Sequence, residues 1–267
     1  MKIGNRSFEE QNHTYLMGIL NVTPDSFSDG GRFVELDRGL FRVQEMIREG
    51  MDILDIGGES TRPGYQMISS EEEIERIVPV IEAVKKEFDI PVSLDTYKSE
   101  VAKAGIEAGA DLINDIWGLQ YDGNMAGLIA EKKVACCLMH NRKEAVYSDF
   151  VEDVRRDCKK IIQTAVNAGI DAKKIILDPG VGFAKSYEQN LEIMKHLGKI
   201  KELGYPLLLG TSRKSVIGIT LELPVDQRLN GTLATSAYGV MQGCMFLRVH
   251  DIKANKEVVK MMEAILR

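Results

Sequence analysis

The chain has 267 residues, of which 44% are hydrophobic and 28% are charged, and these values exclude a disordered or fibrous protein. Its 34 Lys and Arg residues against 40 Asp and Glu residues give a net charge of −6, which argues against a dedicated nucleic-acid binder. The length allows two small domains or one large one. Because no linker or composition shift divides the sequence, we expect residues 1–267 to form a single domain.

The sequence shows no signal for secretion or membrane insertion. Residues 1–14 lack the apolar stretch of a signal peptide, and no run of about 18 apolar residues occurs. The spacing of the four cysteines matches neither a zinc site nor a redox motif; they are Cys136, Cys137, Cys158 and Cys244. We therefore expect a cytoplasmic protein whose partners include neither membranes nor nucleic acid.

Eight short apolar runs recur along the chain. They are Tyr15–Leu20, Asp52–Ile56, Pro91–Leu94, Asp111–Ile113, Val134–Met139, Lys174–Leu177, Pro206–Leu209 and Met245–Val249. Each run is apolar nearly throughout, a pattern typical of strands that are buried on both faces of a parallel sheet.

Amphipathic stretches with helical periodicity lie between these runs. Apolar residues form one stripe at positions 36, 40, 43 and 47. Ser70 with Glu73, and Ser186 with Gln189, predict capping boxes at two helix starts. Further helices are predicted over Ser99–Ala108, Asn124–Lys132, Phe150–Asn167, Gly231–Gln242 and Lys256–Leu266.

Eight buried strands that alternate with helices predict a (β/α)8 TIM barrel, an α/β fold. The alternative is a doubly wound open sheet with a ligand crevice at one switch point. The residues before Tyr15 are expected to form a hairpin that closes the bottom of the barrel.

Nearly every predicted strand ends in a polar residue on its C-terminal side. These residues are Asn21, Asp55, Asp95, Asn114, Asp115, His140, Asp178, Thr211, Ser212, Arg213, Lys214, Arg248 and His250. A polar residue at one strand end is ordinary, but its recurrence at almost all eight ends is not. In a barrel these ends converge on the face where active sites form.

Two loops rich in glycine and short polar residues follow the first two strands, at Asp25–Gly31 and Gly57–Gly64. Ordinary connecting loops would have a similar composition. Arg62 and the neighbouring hydroxyls favour an anion site, because guanidinium matches phosphate oxygens in bidentate geometry.

An ordered series of motifs resembles the dihydropteroate synthase family over about residues 15–251. The motifs are L-N-V-T-P-D-S-F-S-D-G-G at Leu20–Gly31, D-I-G-G-E-S-T-R-P-G at Asp55–Gly64, S-L-D-T at Ser93–Thr96, I-N-D-I-W-G at Ile113–Gly118, L-M-H-N at Leu138–Asn141, L-D-P-G-V-G-F at Leu177–Phe183, T-S-R-K-S at Thr211–Ser215 and R-V-H-D at Arg248–Asp251. The first two motifs are the most specific.

The resemblance implies condensation of 6-hydroxymethyl-7,8-dihydropterin pyrophosphate with 4-aminobenzoate to give 7,8-dihydropteroate and pyrophosphate, in folate biosynthesis. It further implies a dissociative mechanism in which pyrophosphate leaves first, a Mg²⁺ ion, a homodimer and inhibition by sulfonamides. The last helices are candidates for the dimer surface.

By the same resemblance, the pterin would contact Asp95, Asn114, Met139, Asp178, Phe183 and Lys214. A buried carboxylate at Asp178 suits the adjacent donors of the pterin edge, and the Asn114 amide suits a mixed edge. For Met139, a purely structural role in the core is an equal alternative.

The same resemblance also assigns residues to the diphosphate, the metal ion, the second substrate and catalysis. The diphosphate would be bound by Asn21, Thr61, Arg62, Arg248 and His250, with Asn21 as the Mg²⁺ ligand. The 4-aminobenzoate would be bound by Phe27, Thr61, Pro63 and Ser215, the last at a helix N-terminus. The catalytic set would be Asp29, Arg62, Lys214, Arg248 and His250, with Asp29 stabilising the cation at the pterin methylene.

Two other functions remain open at this point: a methyltetrahydrofolate-dependent methyltransferase and a non-catalytic pterin-binding barrel. The first has no diphosphate to bind, so Arg62 and the first loop argue against it. The second predicts loss of loop residues that are present here. His140 has no assigned role, while Asp55, Asp115 and Arg213 are candidate loop supports.

Overall fold

In a computed structural model that describes residues 1–9, 13–22, 32–59 and 67–266, eight parallel strands form one sheet. They are β1 (Tyr15–Asn21), β2 (Ile53–Gly57), β3 (Val92–Asp95), β4 (Leu112–Asp115), β5 (Ala135–Met139), β6 (Ile175–Asp178), β7 (Leu208–Leu209) and β8 (Phe246–Val249). Consecutive strands pair from β1 to β6, β8 pairs with both β1 and β7, and a bridge from Leu177 to Leu207 closes the ring. The predicted (β/α)8 TIM barrel is confirmed, and the open-sheet alternative is wrong.

Helices surround the barrel in the expected alternation. They are α1 (Arg32–Glu49), α2 (Ser70–Glu87), α3 (Ser99–Ala108), α4 (Met125–Lys132), α5 (Phe150–Asn167), α6 (Tyr187–Lys195), α7 (Leu197–Lys201), α8 (Ser215–Leu221), α9 (Leu229–Met241) and α10 (Ile252–Leu266). Among the described residues, no helix combines the length and apolarity that crossing a membrane requires.

One of the two predicted helix caps is displaced. The capping box at Ser186 and Gln189 is confirmed. The box predicted at Ser70 and Glu73 is wrong by one residue, because Ser69 is the N-cap and its hydroxyl accepts a hydrogen bond from the Glu72 amide at 3.2 Å.

Alternate residues of each strand face opposite sides of the barrel wall. Those that face outward, such as Leu54 and Leu177, pack against the helices in the main core. Those that face inward near the N-terminal ends, such as Met17 and Phe246, form a second apolar cluster. A short hairpin of Lys2–Ile3 and Arg6–Ser7 adds Ile3 and Phe8 to this cluster. The predicted closure of the barrel bottom is confirmed.

Toward the C-terminal ends of the strands the barrel interior becomes polar. The inward side chains there are Asp55, Ser93, Asp95, Asn114, Asp178 and Arg248. Burying charged groups is costly unless they are paired and hydrogen-bonded. This layer therefore needs either internal partners or a ligand.

Candidate active site

Arg248 from β8 joins the carboxylates of two neighbouring strands. Its Nε donates to Asp55 Oδ2 and its Nη2 donates to Asp95 Oδ2, both at 2.6 Å. The hydroxyl of Ser93 donates to the other oxygen of Asp55 at 2.5 Å. Asp55 is thus fully engaged inside the barrel and supports Arg248.

The second oxygen of Asp95 is left without a hydrogen-bond partner in the described part of the chain. Asp95 is only 7% exposed, and its Oδ1 is buried with no hydrogen-bond partner among the described residues. Burial raises the pKa of Asp95 to about 7, although Arg248 opposes the shift. An unsatisfied buried oxygen in a polar layer indicates a site for a hydrogen-bond donor from a ligand.

Asp178 and Lys214 face Asp95 across the barrel interior. A Cβ atom added at Gly210 would lie 3.7 Å from Asp178 Oδ2 and 3.8 Å from Lys214 Nζ, so the two charged groups lie close to the same point of the barrel interior. Burial raises the pKa of Asp178, and the Lys214 ammonium opposes that shift. Burial lowers the pKa of Lys214 to about 8. To a ligand, Asp178 therefore offers a hydrogen-bond acceptor and Lys214 offers a hydrogen-bond donor.

An apolar wall lies beside these charges. Tyr97, Ile116 and Met139 form a small buried cluster, against which Trp117 and Phe183 pack. The ammonium of Lys214 lies 4.8 Å from the centre of the Phe183 ring. Flat apolar surface beside convergent polar groups is the usual construction of a small-molecule site.

Asn21 ends β1 next to the carboxylate layer. A point placed as a Cβ on Gly57 lies 3.8 Å from Asn21 Oδ1 and 3.9 Å from Asp95 Oδ2. These are hard oxygen donors of the kind that Mg²⁺ prefers. No group of three or more His, Cys, Asp or Glu residues suited to a metal occurs in the described part of the chain. Because Asp95 Oδ2 already accepts from Arg248, Asn21 Oδ1 is the oxygen that would hold such a cation, together with substrate oxygens and water.

The loop after β7 supplies groups at the rim. Ser212 Oγ lies 3.0 Å from His250 Nδ1, and Arg213 forms a two-point ion pair with Asp251, whose shorter distance is 2.6 Å. Exposed Ser215 is the first residue of α8, as the sequence indicated. Arg213 therefore braces the loop rather than facing the polar layer.

Comparisons with known proteins agree with this construction. Residues 17–250 match the family model described as pterin binding enzyme. The chain is 57% identical to the dihydropteroate synthase of Clostridium beijerinckii over 100% of both chains. The chain belongs to the dihydropteroate synthase family.

Solved structures of dihydropteroate synthases share the fold. The enzyme from Clostridium difficile, determined in the presence of pteroic acid, is 47% identical with a TM-score of 0.95, covering 98% of this chain and 100% of its own. The Xanthomonas albilineans enzyme with 4-aminobenzoic acid is 40% identical with a TM-score of 0.91, covering 95% and 93%. The protein is thus an enzyme of this family.

Asp115 and His140, like Arg213, do not reach the interior layer. Asp115 follows Asn114 and so points the opposite way; its carboxylate accepts hydrogen bonds from the amides of Trp117 and Leu119 at 2.8 and 2.7 Å. His140 is fully buried and contacts Asp157 instead. The sequence pattern predicted too many converging side chains, because it did not take into account that successive residues of a strand face opposite sides of the sheet.

Five predicted site residues, Phe27, Asp29, Thr61, Arg62 and Pro63, lie outside the described residues. The structure nevertheless shows the contacts of Glu59, which lies in the second predicted loop, Gly57–Gly64. Lys98 Nζ lies 2.8 Å from Glu59 Oε2, 2.7 Å from Glu73 Oε2 and 2.8 Å from the carbonyl of Ile68. This buried ion network was missed, because nothing in the spacing of the three charges links them.

Gly180, in the D-P-G turn after β6, provides a test of the site's backbone. A Cβ there would lie 2.0 Å from the carbonyl oxygen of His140, and its φ is +72°. We expect Gly180→Ala to lower the free energy of unfolding by more than about 2 kcal/mol. Urea denaturation measures this. Gly198→Ala, where the added methyl meets nothing within 4 Å, is the control and should be neutral or stabilising.

Proposed function

We propose that this chain, acting as one domain, condenses 6-hydroxymethyl-7,8-dihydropterin pyrophosphate with 4-aminobenzoate and releases 7,8-dihydropteroate and pyrophosphate. One observation carries most of the argument: Asp95, Asp178 and Lys214 converge beside an apolar wall inside the barrel. This is the barrel end at which active sites form. Family membership supports the same reaction.

The polar groups suit a pterin. Its 2-aminopyrimidinone edge presents adjacent N–H donors, which a carboxylate such as Asp178 accepts with both oxygens. The unpaired Oδ1 of Asp95 supplies one further acceptor, and Asn114 serves a mixed edge. Lys214 donates to the ring carbonyl or a ring nitrogen. Met139 and Phe183 would cover the ring faces.

The reaction requires stabilisation of a leaving pyrophosphate. Arg248, Arg62 and His250 are the proposed cations, with Thr61 and Asn21 as neutral ligands. Asn21 would hold Mg²⁺ through its amide oxygen, and the bound ion would neutralise charge that develops on the leaving oxygens. Because Arg248 already binds two carboxylates, its role includes fixing Asp95 as well as attracting the diphosphate.

The second substrate would arrive at the rim. Asp29 is proposed to stabilise the cation left at the pterin methylene. Phe27, Thr61 and Pro63 would then enclose 4-aminobenzoate, with its carboxylate near Ser215. The neutral arylamine is nucleophilic enough to attack without a strong general base. Sulfonamides would compete for the same place.

A homodimer is part of the proposal. The last helices expose several large apolar side chains, including Ile219, Met241, Met261 and Ile265. Association with a partner would remove these apolar side chains from water. Sedimentation velocity that gave a monomer at micromolar concentration would contradict the dimer without affecting the reaction.

The direct test combines dihydropterin pyrophosphate, 4-aminobenzoate and Mg²⁺ and measures pyrophosphate release. Release should need both substrates and should fall when the metal is chelated. No release by folded protein would overturn the proposed reaction. Transfer of a methyl group from methyltetrahydrofolate would favour the methyltransferase alternative instead.

The rate of the reaction should pass through a maximum as the pH changes. Asp95 Oδ2 already accepts from Arg248, so a proton on Asp95 would occupy the unpaired Oδ1 and block it as an acceptor. Because the pKa of Asp95 is about 7, its Oδ1 becomes an acceptor as the pH rises through neutrality. Lys214 has a pKa of about 8, so it loses its proton, and with it its charge, above pH 8. We expect kcat/KM for the pterin substrate to peak between the two values. Asp95→Asn should lower activity and remove the acid limb of a pH–rate profile.

A further inference from the structure

The loop 179–184 between β6 and α6 has an unusual backbone. Its φ angle is positive at Gly180, Gly182 and Ala184, at 72°, 89° and 44°. Left-handed backbone is disfavoured for a residue with a side chain, so such a loop keeps its shape only when surrounding groups fix it.

Side chains from outside the loop provide this support. Asp178 Oδ1 accepts from the Gly180 amide at 2.7 Å, Asn190 Oδ1 accepts from the Gly182 amide at 2.6 Å, the Tyr147 hydroxyl donates to the Ala184 carbonyl at 2.7 Å, and Lys214 Nζ donates to the Val181 carbonyl at 2.5 Å. Two of these side chains, Asp178 and Lys214, belong to the proposed pterin site. The shape of the loop and the shape of the site are therefore coupled.

Lys185 makes the largest contribution to this support. Its Nζ lies 2.9 Å from the Gly180 carbonyl, 3.0 Å from the Phe183 carbonyl and 3.0 Å from His140 Nδ1. An ammonium group has three N–H donors and no acceptor, so these three acceptors use all of them. His140 must then accept through Nδ1 and donate through Nε2 to Asp157, 3.3 Å away.

The electrostatics of His140 agree with that arrangement, whereas those of Lys185 make it depend on pH, because the three-donor ammonium form predominates only below the lowered pKa of Lys185. Burial and then the Lys185 charge lower the pKa of His140 to about 3, which keeps the imidazole neutral and its Nδ1 available. Burial lowers the pKa of Lys185 to about 7, and Asp178 is the strongest charge opposing the shift. The Lys185 charge in turn favours the ionised form of Asp178. A line of contacts thus runs from Asp157 on α5 through His140, Lys185 and the backbone of Gly180 to Asp178, the proposed acceptor for the pterin.

We propose that Lys185 is a positioning residue for the pterin half of the active site. By holding the Gly180 and Phe183 carbonyls, it fixes the Asp178 carboxylate and the Phe183 ring. The inference rests on the proposed function, since it assumes that a pterin occupies this half. It gives His140 a role as the neutral acceptor that orients Lys185.

The first experiment measures binding of 6-hydroxymethylpterin, a probe without diphosphate, to the full-length protein. Trp117, the single tryptophan, lies in the same apolar wall as Phe183, so quenching of its fluorescence reports occupancy. We expect Lys185→Met to raise the Kd about tenfold or more, the effect of losing one or two well-placed hydrogen bonds. Lys195→Met, which removes an exposed charge from the C-terminal end of the following helix α6, should leave the Kd unchanged.

Steady-state kinetics separate positioning from general damage. In Lys185→Met the KM for the pterin substrate should rise while the KM for 4-aminobenzoate stays constant. An unchanged pterin Kd would overturn the inference, as would equal losses for both substrates together with a lowered melting temperature. A wild-type protein that bound no pterin would instead overturn the proposed function, and this inference with it.

A pair of variants at His140 tests the line of contacts if Lys185→Met folds poorly. His140→Asn places an amide oxygen close to the position of Nδ1, so it keeps the acceptor for Lys185 and loses only Asp157. His140→Leu loses both contacts. We expect pterin affinity to be largely retained in His140→Asn and lowered in His140→Leu. Equal affinity in the two variants would contradict the role of Lys185.

Discussion

Asp178→Ala should abolish measurable pterin binding while the barrel stays folded. The carboxylate is the proposed bidentate acceptor for the pterin edge, and replacing it removes two charge-assisted hydrogen bonds. We expect a loss of affinity of about 100- to 1,000-fold, or roughly 3–4 kcal/mol. Titration of 6-hydroxymethylpterin by calorimetry or by fluorescence measures it.

Two further variants make the Asp178 result specific. Asp178→Asn keeps one oxygen for the Gly180 amide but turns an N–H donor toward the pterin donors, so it should bind nearly as poorly. Asp226→Ala, which removes an exposed carboxylate from the connection between α8 and α9, should bind normally. Near-normal affinity of Asp178→Ala would refute the assignment of the pterin edge.

Arg248→Ala should damage both stability and activity. Its guanidinium lies between Asp55 and Asp95, which are 0% and 7% exposed, so its removal leaves two buried carboxylates without their hydrogen-bonded ion-pair partner. Breaking such a buried pair costs about 3–5 kcal/mol. We expect kcat/KM to fall at least about 100-fold, because a cation near the leaving group is lost as well.

The pH dependence of unfolding distinguishes this account from simple loss of packing. The pKa of Asp95, already raised by burial in the intact protein, should rise further without Arg248. A folded-state pKa above the unfolded value favours folding at low pH, so the defect of Arg248→Ala should shrink as the pH falls from about 8 to 5. Arg213→Ala breaks the outer pair with Asp251 and should cost only about 0–1 kcal/mol at any pH. A defect that did not vary with pH would contradict the role of Arg248 as a counter-ion.

Much of the fold could be predicted from the sequence because the signals are local. A buried strand such as Ala135–Met139 is a continuous apolar run, and α3 and α5 match their predicted bounds. The same locality explains the error at the start of α2, where Ser69 and Ser70 offer equivalent caps and only the backbone distinguishes them.

The site was harder to predict because its contacts join distant parts of the chain. Asp55 and Arg248 are separated by 193 positions, and no local pattern reveals that one neutralises the other. Asp115 and Asn114 are adjacent, yet the strand turns them to opposite sides. Lys185 escaped notice because two of its three partners are carbonyl oxygens, which every residue carries.

The hairpin that carries Ile3 and Phe8 affects how substrates enter the barrel. It covers one end of the barrel with apolar side chains, so among the described residues the polar interior lies toward the opposite end. If the pterin occupies the deep layer around Asp178, a benzoate already seated near Ser215 would obstruct its path. If both substrates enter at the C-terminal ends of the strands, the pterin has to bind first and the benzoate second.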